Sequence, residues 1–435
     1  MSLLLVFFLS LSGCLAVDNP IFYGGSMSFS IFHDDRDNTD KVHLKLLTGW
    51  KIGTGPCGRS CPRSRTRTST IQSRKNMLDK KGDGYFGNWD MEVRKSSGNT
   101  YHQNLTTIVK TNLTEKVESV NPRLEWELDT AELFVPIPDQ VQYVDIIFEG
   151  NSWLELTVNK LTKGPPWHLQ VKVNPHERSD TLGPNRSPIV QMKPFFKLGM
   201  NRTYAISLTA MDEDDDAIKC RSSQYVEAGP KLTSHSFHKA NVDAESCTIN
   251  IDTTDSSVFY ENATGAIAVT VQDYARKLLK LKEEENLINP YEKVLSAVTV
   301  QFFVFIVEHA DEPIFVLPTH PNQQTFIIYV GVEFTVDFFA RPTAPDANRK
   351  IELFDVTRTG GRETNQTDIK FSTNRTAKIT VSWIPVGADL GKDILCARVE
   401  DNEGFESINL HCFTILIKPY TPHPQTPLQN SRLLR

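Results

Sequence analysis

The stretch ITVSW at residues 379–383 alternates apolar and polar side chains, so Ile379, Val381 and Trp383 share one side of an extended strand. Alternation of this kind places one face of a strand on a core and the other in water. The same period of two recurs at residues 27–31, 42–46, 154–158, 169–173, 206–210, 267–271 and 334–338. Gly- and Pro-rich turns separate these runs. The pattern predicts an all-β protein built from tandem antiparallel β-sandwich domains.

One segment departs from this pattern. Residues 272–288 (QDYARKLLKLKEEENLI) have helical composition, and Leu278 and Leu281 are spaced to share one helix face. Pro290 would end such a helix. We therefore predict an insertion at residues 272–290 that carries a short helix.

Composition excludes several classes of protein. The 435 residues include 53 acidic and 47 basic side chains, for a net charge of −6, and 39% are apolar. This content is too apolar for a disordered chain, and the near-balanced charge argues against a dedicated nucleic-acid binder.

The N-terminus predicts export. Residues 3–9 read LLLVFFL, and Cys14 and Ala16 supply the small side chains of a cleavage site, so residues 1–16 are predicted to be a signal peptide. We expect no membrane span after its cleavage, because the most apolar later run, residues 294–307, is shorter than a bilayer requires and is rich in strand-forming Val and Phe. Residues 419–435 are polar and Pro-rich, and predict a disordered tail.

The remaining cysteines are even in number, which in an exported chain predicts disulfides. Six cysteines allow 15 connectivities, and proximity favours the pairs Cys57–Cys61, Cys220–Cys247 and Cys396–Cys412. Glycosylation sequons lie at Asn104, Asn112, Asn185, Asn201, Asn262, Asn365 and Asn374. The predicted product is a disulfide-bonded glycoprotein.

Proline-marked strand entries suggest domain boundaries. The strings at residues 187–189 and 312–314 are each followed by an alternating strand, which indicates two related sandwiches. We predict an irregular β domain at 17–177, a sandwich at 178–310 and a second sandwich at 311–418.

An acidic run stands out at residues 212–216 (DEDDD). Alternate carboxylates at the end of a strand offer the hard oxygen ligands that Ca²⁺ takes, so Asp212, Asp214 and Asp216 are predicted metal ligands. The alternative is a solvated acidic loop between two strands.

A basic run near the first cysteine pair includes Arg63, Arg65 and Arg67. One interpretation is a basic patch that binds sulfated glycans or an acidic matrix partner. The other is a flexible solvated loop.

The sequence has no GxSxG, no HExxH and no Gly-rich phosphate loop. We therefore expect a protein that is not an enzyme.

Four sequence motifs occur in a characteristic order: residues 178–188 (RSDTLGPNRSP), 210–221 (AMDEDDDAIKCR), 266–274 (AIAVTVQDY) and 295–302 (LSAVTVQF). Together they resemble a family of large secreted animal extracellular proteins of unknown function, which includes organic-matrix proteins of coral skeletons. The final segment resembles the cadherin-like or immunoglobulin-like module that follows. The insertion at 272–288 and the few cysteines near Cys57 depart from that family's pattern.

The resemblance implies a secreted structural or adhesive component of an extracellular matrix, including a biomineral skeletal matrix, with matrix components, sulfated glycans or mineral as partners. The alternative is a soluble recognition protein that binds a ligand through sandwich loops.

Overall fold

The structure is a computed structural model that describes residues 21–55, 87–150, 153–161, 166–181, 183–282, 286–359, 364–372 and 374–420. As predicted, the chain is all-β, with mainly antiparallel sheets. The N-terminal body contains β1 (Phe22–Asp34), β2 (Thr39–Lys51), β3 (Asn88–Lys95), β4 (Thr100–Asn104), β5 (Thr114–Asn121), β6 (Trp126–Pro136), β7 (Val141–Gly150), β8 (Trp167–Val173), β9 (Ile189–Gln191), β10 (Phe195–Gly199), β11 (Thr203–Ser207), β12 (Thr209–Met211), β13 (Ala217–Ser222), β14 (Ala240–Asp243), β15 (Thr248–Asp252), β16 (Thr264–Tyr274), β17 (Leu279–Lys280), β18 (Leu287–Ile288) and β19 (Val294–Val307). Its helices are short: α1 (Thr106–Asn112), α2 (Tyr225–Ala228) and α3 (Pro230–Ser234).

Strand β19 organises this body. It is the apolar run at 294–307, and it forms a buried strand as predicted. One edge pairs with β16 along Thr264–Tyr274, and the other pairs in succession with β8, β1 and the parallel β10. Because both of its faces are covered, β19 is apolar almost throughout instead of alternating.

The N-terminal body has one continuous core. A single cluster of buried side chains runs from Phe22 to Ile306, and the 12-stranded sheet includes strands from both sides of residue 178. The boundary predicted between residues 177 and 178 therefore corresponds to no break in the sheet or core, because β1 and β8 pair with β19.

Gly24 permits a close approach of β1 to β19. Its φ is +134°, and a Cβ atom there would lie 2.2 Å from the carbonyl oxygen of Gln301 on β19. Only glycine adopts this conformation and this approach without strain.

The C-terminal body is an immunoglobulin-like sandwich with its own core, and residues 312–418 are called the Ig-like module below. Its strands are β20 (Ile314–Phe315), β21 (Thr325–Tyr329), β22 (Phe334–Arg341), β23 (Ile351–Arg358), β24 (Asn365–Gln366), β25 (Lys370–Phe371), β26 (Ala377–Trp383), β27 (Gly391–Asp401) and β28 (His411–Lys418).

Two sheets make up the module. One has the order β20-β22-β26-β24, with β25 also on β26, and the other has the order β21-β28-β27-β23. This is the strand order of immunoglobulin-type sandwiches, with β22, β26 and β24 opposite β23, β27 and β28. Trp383 is buried in the core between the sheets.

The predicted helix at 272–288 is wrong for the residues that the structure describes there. Residues 272–274 complete β16, and β17 pairs with β18 in antiparallel orientation. Leu279 and Leu281 are buried in a small cluster with Ile288, whereas Leu278 is exposed. Burial thus follows the strand period of two, because packing of this cluster outweighs the helical propensity of the sequence.

Within the described ranges, no helix has the length and apolar character needed to cross a bilayer. Residues 1–16, the sulfated-glycan candidates Arg63, Arg65 and Arg67, and the tail from residue 421 lie outside the described residues.

Candidate functional site

The acidic loop between β12 and β13 folds around Asp212. The Asp212 Oδ1 atom accepts hydrogen bonds from the backbone amides of Asp214 at 2.8 Å and Asp216 at 2.9 Å. Asp212 is only 4% exposed, and its Oδ2 atom has no hydrogen-bond partner among the described residues. The loop is therefore wound about a buried carboxylate, which differs from the open solvated loop considered above.

Two of the predicted ligands, Asp212 and Asp216, converge with a carboxylate that the sequence did not single out. A carboxylate oxygen from each of Asp212, Asp216 and Asp273 lies within 4.8 Å of the other two. All three residues are buried. We call these three side chains the carboxylate triad.

Asp214 is directed elsewhere. Its Oδ2 atom accepts a hydrogen bond from the backbone amide of Arg186 at 2.8 Å and lies 3.6 Å from Nη1 of Arg178. It therefore fixes the neighbouring segment 178–188 and is not a member of the triad.

Asp273, at the end of β16, takes the third position. It accepts hydrogen bonds from the backbone amide of Ser296 at 2.5 Å and from the Ser296 hydroxyl and the Asn185 amide at 2.8 Å. An available sequence signal was an acidic residue two positions after the largely apolar run 266–271, because a strand buried on both faces rarely carries a charge.

A buried guanidinium balances part of this charge. The Arg178 side chain is fully buried and donates to both carboxylate oxygens of Asp216 and of Asp180. It also donates to the Asn185 side chain. The segment singled out by the family resemblance thus supplies the cation of the acidic cluster.

Burial and mutual repulsion shift the protonation of the triad. Burial raises the pKa of Asp212 to about 7, and the charges of Asp216 and Asp214 add to this effect against the backbone hydrogen bonds. Burial, followed by the charge of Asp212, raises the pKa of Asp273 well above its ordinary value. Burial also raises the pKa of Asp216, although Arg178 opposes the shift. The site favours any species that neutralises it, either a proton or a metal cation.

The Ig-like module packs face-on against the N-terminal body. The outward side chains of β27 include Ile394, Cys396, Arg398 and Glu400, and all are buried. Ile394 and Cys396 share a cluster with Met211 of β12. We call this contact the seam.

Ionic groups hold the middle of the seam. Arg398 donates to Glu406 at 2.6 Å and to Asp355 at 3.1 Å, and its guanidinium lies 4.8 Å from the ring of Trp126 on β6. Asn121 of β5 donates to Glu406 as well. Burial alone would lower the pKa of Arg398, but Glu406, Asp355 and Glu400 hold it above its ordinary value.

Further bonds extend the seam on both sides. Lys193 donates to the carbonyl oxygen of Ser407, and Asn409 bonds the backbone of β11 at Ala205 and Ser207. Lys392 donates to the carbonyl oxygen of Asp212 at 2.7 Å. The acidic loop is thus also a seam element.

Two of the predicted disulfides are confirmed, Cys220–Cys247 and Cys396–Cys412. The first ties β13 to the start of β15, and the second joins the neighbouring strands β27 and β28 on the seam side. Cys57 and Cys61 lie outside the described residues.

The sequons divide by exposure. Asn104, Asn201, Asn262, Asn365 and Asn374 are exposed. Asn185 is 2% exposed and hydrogen-bonded to Arg178 and Asp273, so the folded protein does not offer it as a glycan acceptor. The side chain of Asn112 lies outside the described residues.

No protein-family model and no curated protein matches the sequence significantly. Among solved structures, the chain is similar to a chimeric titin Z1Z2 tandem that carries a GRGDS peptide from fibronectin, at 12% identity, with 53% of this chain and 99% of that one covered and a TM-score of 0.18. The tandem Ig repeats of Dlar match at 12% identity over 54% and 98% of the two chains, with a TM-score of 0.17.

The two tandem V-type regions of VCBP3, a v-region-containing chitin binding protein, match at 11% identity over 53% and 99%, with a TM-score of 0.22. Similarities at this level carry no argument, and the description of the C-terminal module as immunoglobulin-like rests on its strand order.

Proposed function

We propose that this protein is a secreted, non-catalytic glycoprotein that serves as a rigid structural or adhesive component of an extracellular matrix. The observation that supports it is the seam. Because the β27 face of the Ig-like module is buried on the N-terminal body, the two bodies hold one relative orientation and transmit force as a unit.

The distribution of charges and sequons supports the same role. Lys193 of the N-terminal body pairs with Glu406 of the Ig-like module, and the Arg398 guanidinium lies over the Trp126 ring, so separating the bodies would break an ion pair and a cation–π contact that are buried in the seam. The five exposed sequons lie outside the hydrogen bonds and ion pairs that cross the seam. In the Ig-like module, Asn365 lies on β24 in the opposite sheet. Glycans at these positions would coat the outer surface and leave the seam closed.

The experiment expresses the full chain in secreting animal cells and follows it in the medium and in the deposited matrix. The proposal expects a processed, glycosidase-sensitive protein that partitions into detergent-insoluble or mineral-associated matrix. A protein retained in the cytosol with reduced thiols, or one that turns over a glycan or peptide substrate, would refute it.

A second candidate, a soluble recognition protein, is favoured by one surface. The backbone amide of Gly331 donates a hydrogen bond to the carbonyl oxygen of Pro385, which brings residues 329–332 next to residues 384–390, and these segments expose several apolar side chains. They are Tyr329, Val332, Ile384, Val386, Leu390 and Tyr420. Clustered apolar exposure marks interaction sites. Free circulation with one saturable partner, lost on Ile384→Ser but not on Asn365→Gln, would favour this role over the matrix role.

A further inference from the structure

We propose that the carboxylate triad of Asp212, Asp216 and Asp273 binds one hard divalent cation, and that Ca²⁺ is the species it fits. Carboxylate oxygens are the ligands that Ca²⁺ takes, and sulfur or imidazole ligands that would favour zinc or copper are not part of the triad. The inference does not depend on the proposed matrix role.

The first argument is charge. Carboxylates outnumber cations around the buried Arg178: Asp212, Asp214, Asp216 and Asp273 have buried carboxylates, and Asp180 adds one more at the exposed edge of the cluster. Arg186 lies 3.7 Å from Asp214 at the outer side of the cluster, and Lys392 pairs with the exposed Asp215. No ion pair joins either of them to the carboxylate of Asp212 or Asp273 among the described residues. Because uncompensated buried carboxylates are costly, a divalent cation would stabilise the cluster as it stands.

The second argument is the Oδ2 atom of Asp212. The other oxygen of this side chain is saturated by two backbone amides, which hold the carboxylate in one orientation. Oδ2 is buried and has no partner in the described part of the chain. A buried acceptor without a donor is rare in folded proteins, and a cation supplies what it lacks.

The third argument is support from surrounding groups. Ser296 and Asn185 hold Asp273, while Arg178 holds Asp216. Ligands fixed in this way lose little freedom when an ion binds. Three carboxylates do not complete the shell of Ca²⁺, so carbonyl oxygens and water would supply the remaining ligands.

The competing explanation is a proton held by Asp212 or Asp273, and calorimetry separates the two. The full-length protein is stripped of metal and titrated with CaCl₂, with MgCl₂ as a parallel titrant, at neutral pH and physiological salt. We expect one Ca²⁺ per chain with a dissociation constant of about 10⁻⁴–10⁻³ M, as in other extracellular modules, and a raised unfolding temperature.

Two isosteric variants locate the site. Asp212→Asn keeps the oxygen that accepts the two amides and replaces Oδ2, and it should weaken binding at least tenfold. Asp215→Asn removes the same charge from the exposed position of the same loop and should leave binding within about twofold.

The proposal fails if the wild-type protein shows no saturable Ca²⁺ binding and no thermal shift at millimolar Ca²⁺, or if Asp212→Asn binds as tightly as the wild type. It also fails if Asp215→Asn weakens binding as much as Asp212→Asn, because binding would then depend on the net charge of the loop and not on coordination by the Asp212 carboxylate. The wild-type measurements decide the matter even if Asp212→Asn does not fold.

Discussion

Lys392 of β27 donates a hydrogen bond at 2.7 Å to the carbonyl oxygen of Asp212, whose carboxylate lies in the buried triad. The ammonium group also pairs with Asp215 in the same loop. One lysine of the Ig-like module therefore holds the acidic loop of the N-terminal body. The loop that carries Asp212 and Asp216 is therefore in direct contact with the Ig-like module.

The first prediction concerns pH. The pKa of Asp212 is raised in the folded state, to about 7, so folding favours its protonated form. In metal-free buffer, the unfolded chain binds fewer protons at this residue between about pH 4 and pH 7, and its contribution to stability falls as pH rises through that window. The full loss is on the order of 4 kcal/mol.

Urea unfolding of the wild type and Asp212→Asn across this window checks the prediction. The free energy of unfolding of the wild type, relative to that of Asp212→Asn, should fall as pH rises through this window, because only the wild type carries the Asp212 carboxyl group. A difference independent of pH would mean that Asp212 does not titrate in this range.

The second prediction concerns the centre of the seam. Arg398→Met removes the cation that faces Glu406, Asp355 and Glu400, so it should destabilise the protein by about 3–5 kcal/mol. The exposed Arg341→Met serves as the control and should stay within about 0.5 kcal/mol of the wild type. Equal effects of the two variants in denaturant unfolding would show that the seam charges are not coupled to folding.

The third prediction concerns the contact between β1 and β19. Gly24→Ala would place a methyl group against the carbonyl of Gln301 and would keep a positive φ that alanine resists. We expect a loss of about 3 kcal/mol or more, measured by chemical denaturation. Gly387→Ala meets open space and is the matched control. A neutral Gly24→Ala would argue that β1 does not approach β19 this closely.

The fourth prediction concerns glycosylation. When the chain is expressed in secreting animal cells, Asn185→Gln should not change any glycan mass on it but should destabilise it by about 2 kcal/mol, because the longer side chain cannot keep its bonds to Arg178 and Asp273. Asn365→Gln, on an exposed strand, should lose one glycan with little change in stability. Intact-mass spectrometry and thermal unfolding test the pair, and a glycan found on Asn185 would contradict the buried position.

Much of the fold followed from local patterns. Alternation marked strands such as β26, the uninterrupted apolar run marked β19, and short spacing paired Cys220 with Cys247 and Cys396 with Cys412. The candidate site was predicted in part. The acidic run indicated Asp212 and Asp216, which lie in the triad, but also Asp214, which bonds to Arg186 instead. Asp273 and Arg178 stood in quoted motifs without an assigned role.

The sequence by itself determined the strand content, because the alternation of apolar and polar side chains that marks a strand is a property of residues adjacent in the chain. Tertiary structure alone decided that β1 and β8 pair with β19, that β17 pairs with β18, and that Asp273 meets Asp212. It alone also buried Asn185 and closed the seam over β27. These outcomes depend on which segments, distant in sequence, pack against each other and bury their apolar side chains. Burial then outweighs local secondary-structure propensity, and it requires each buried charge to have a partner.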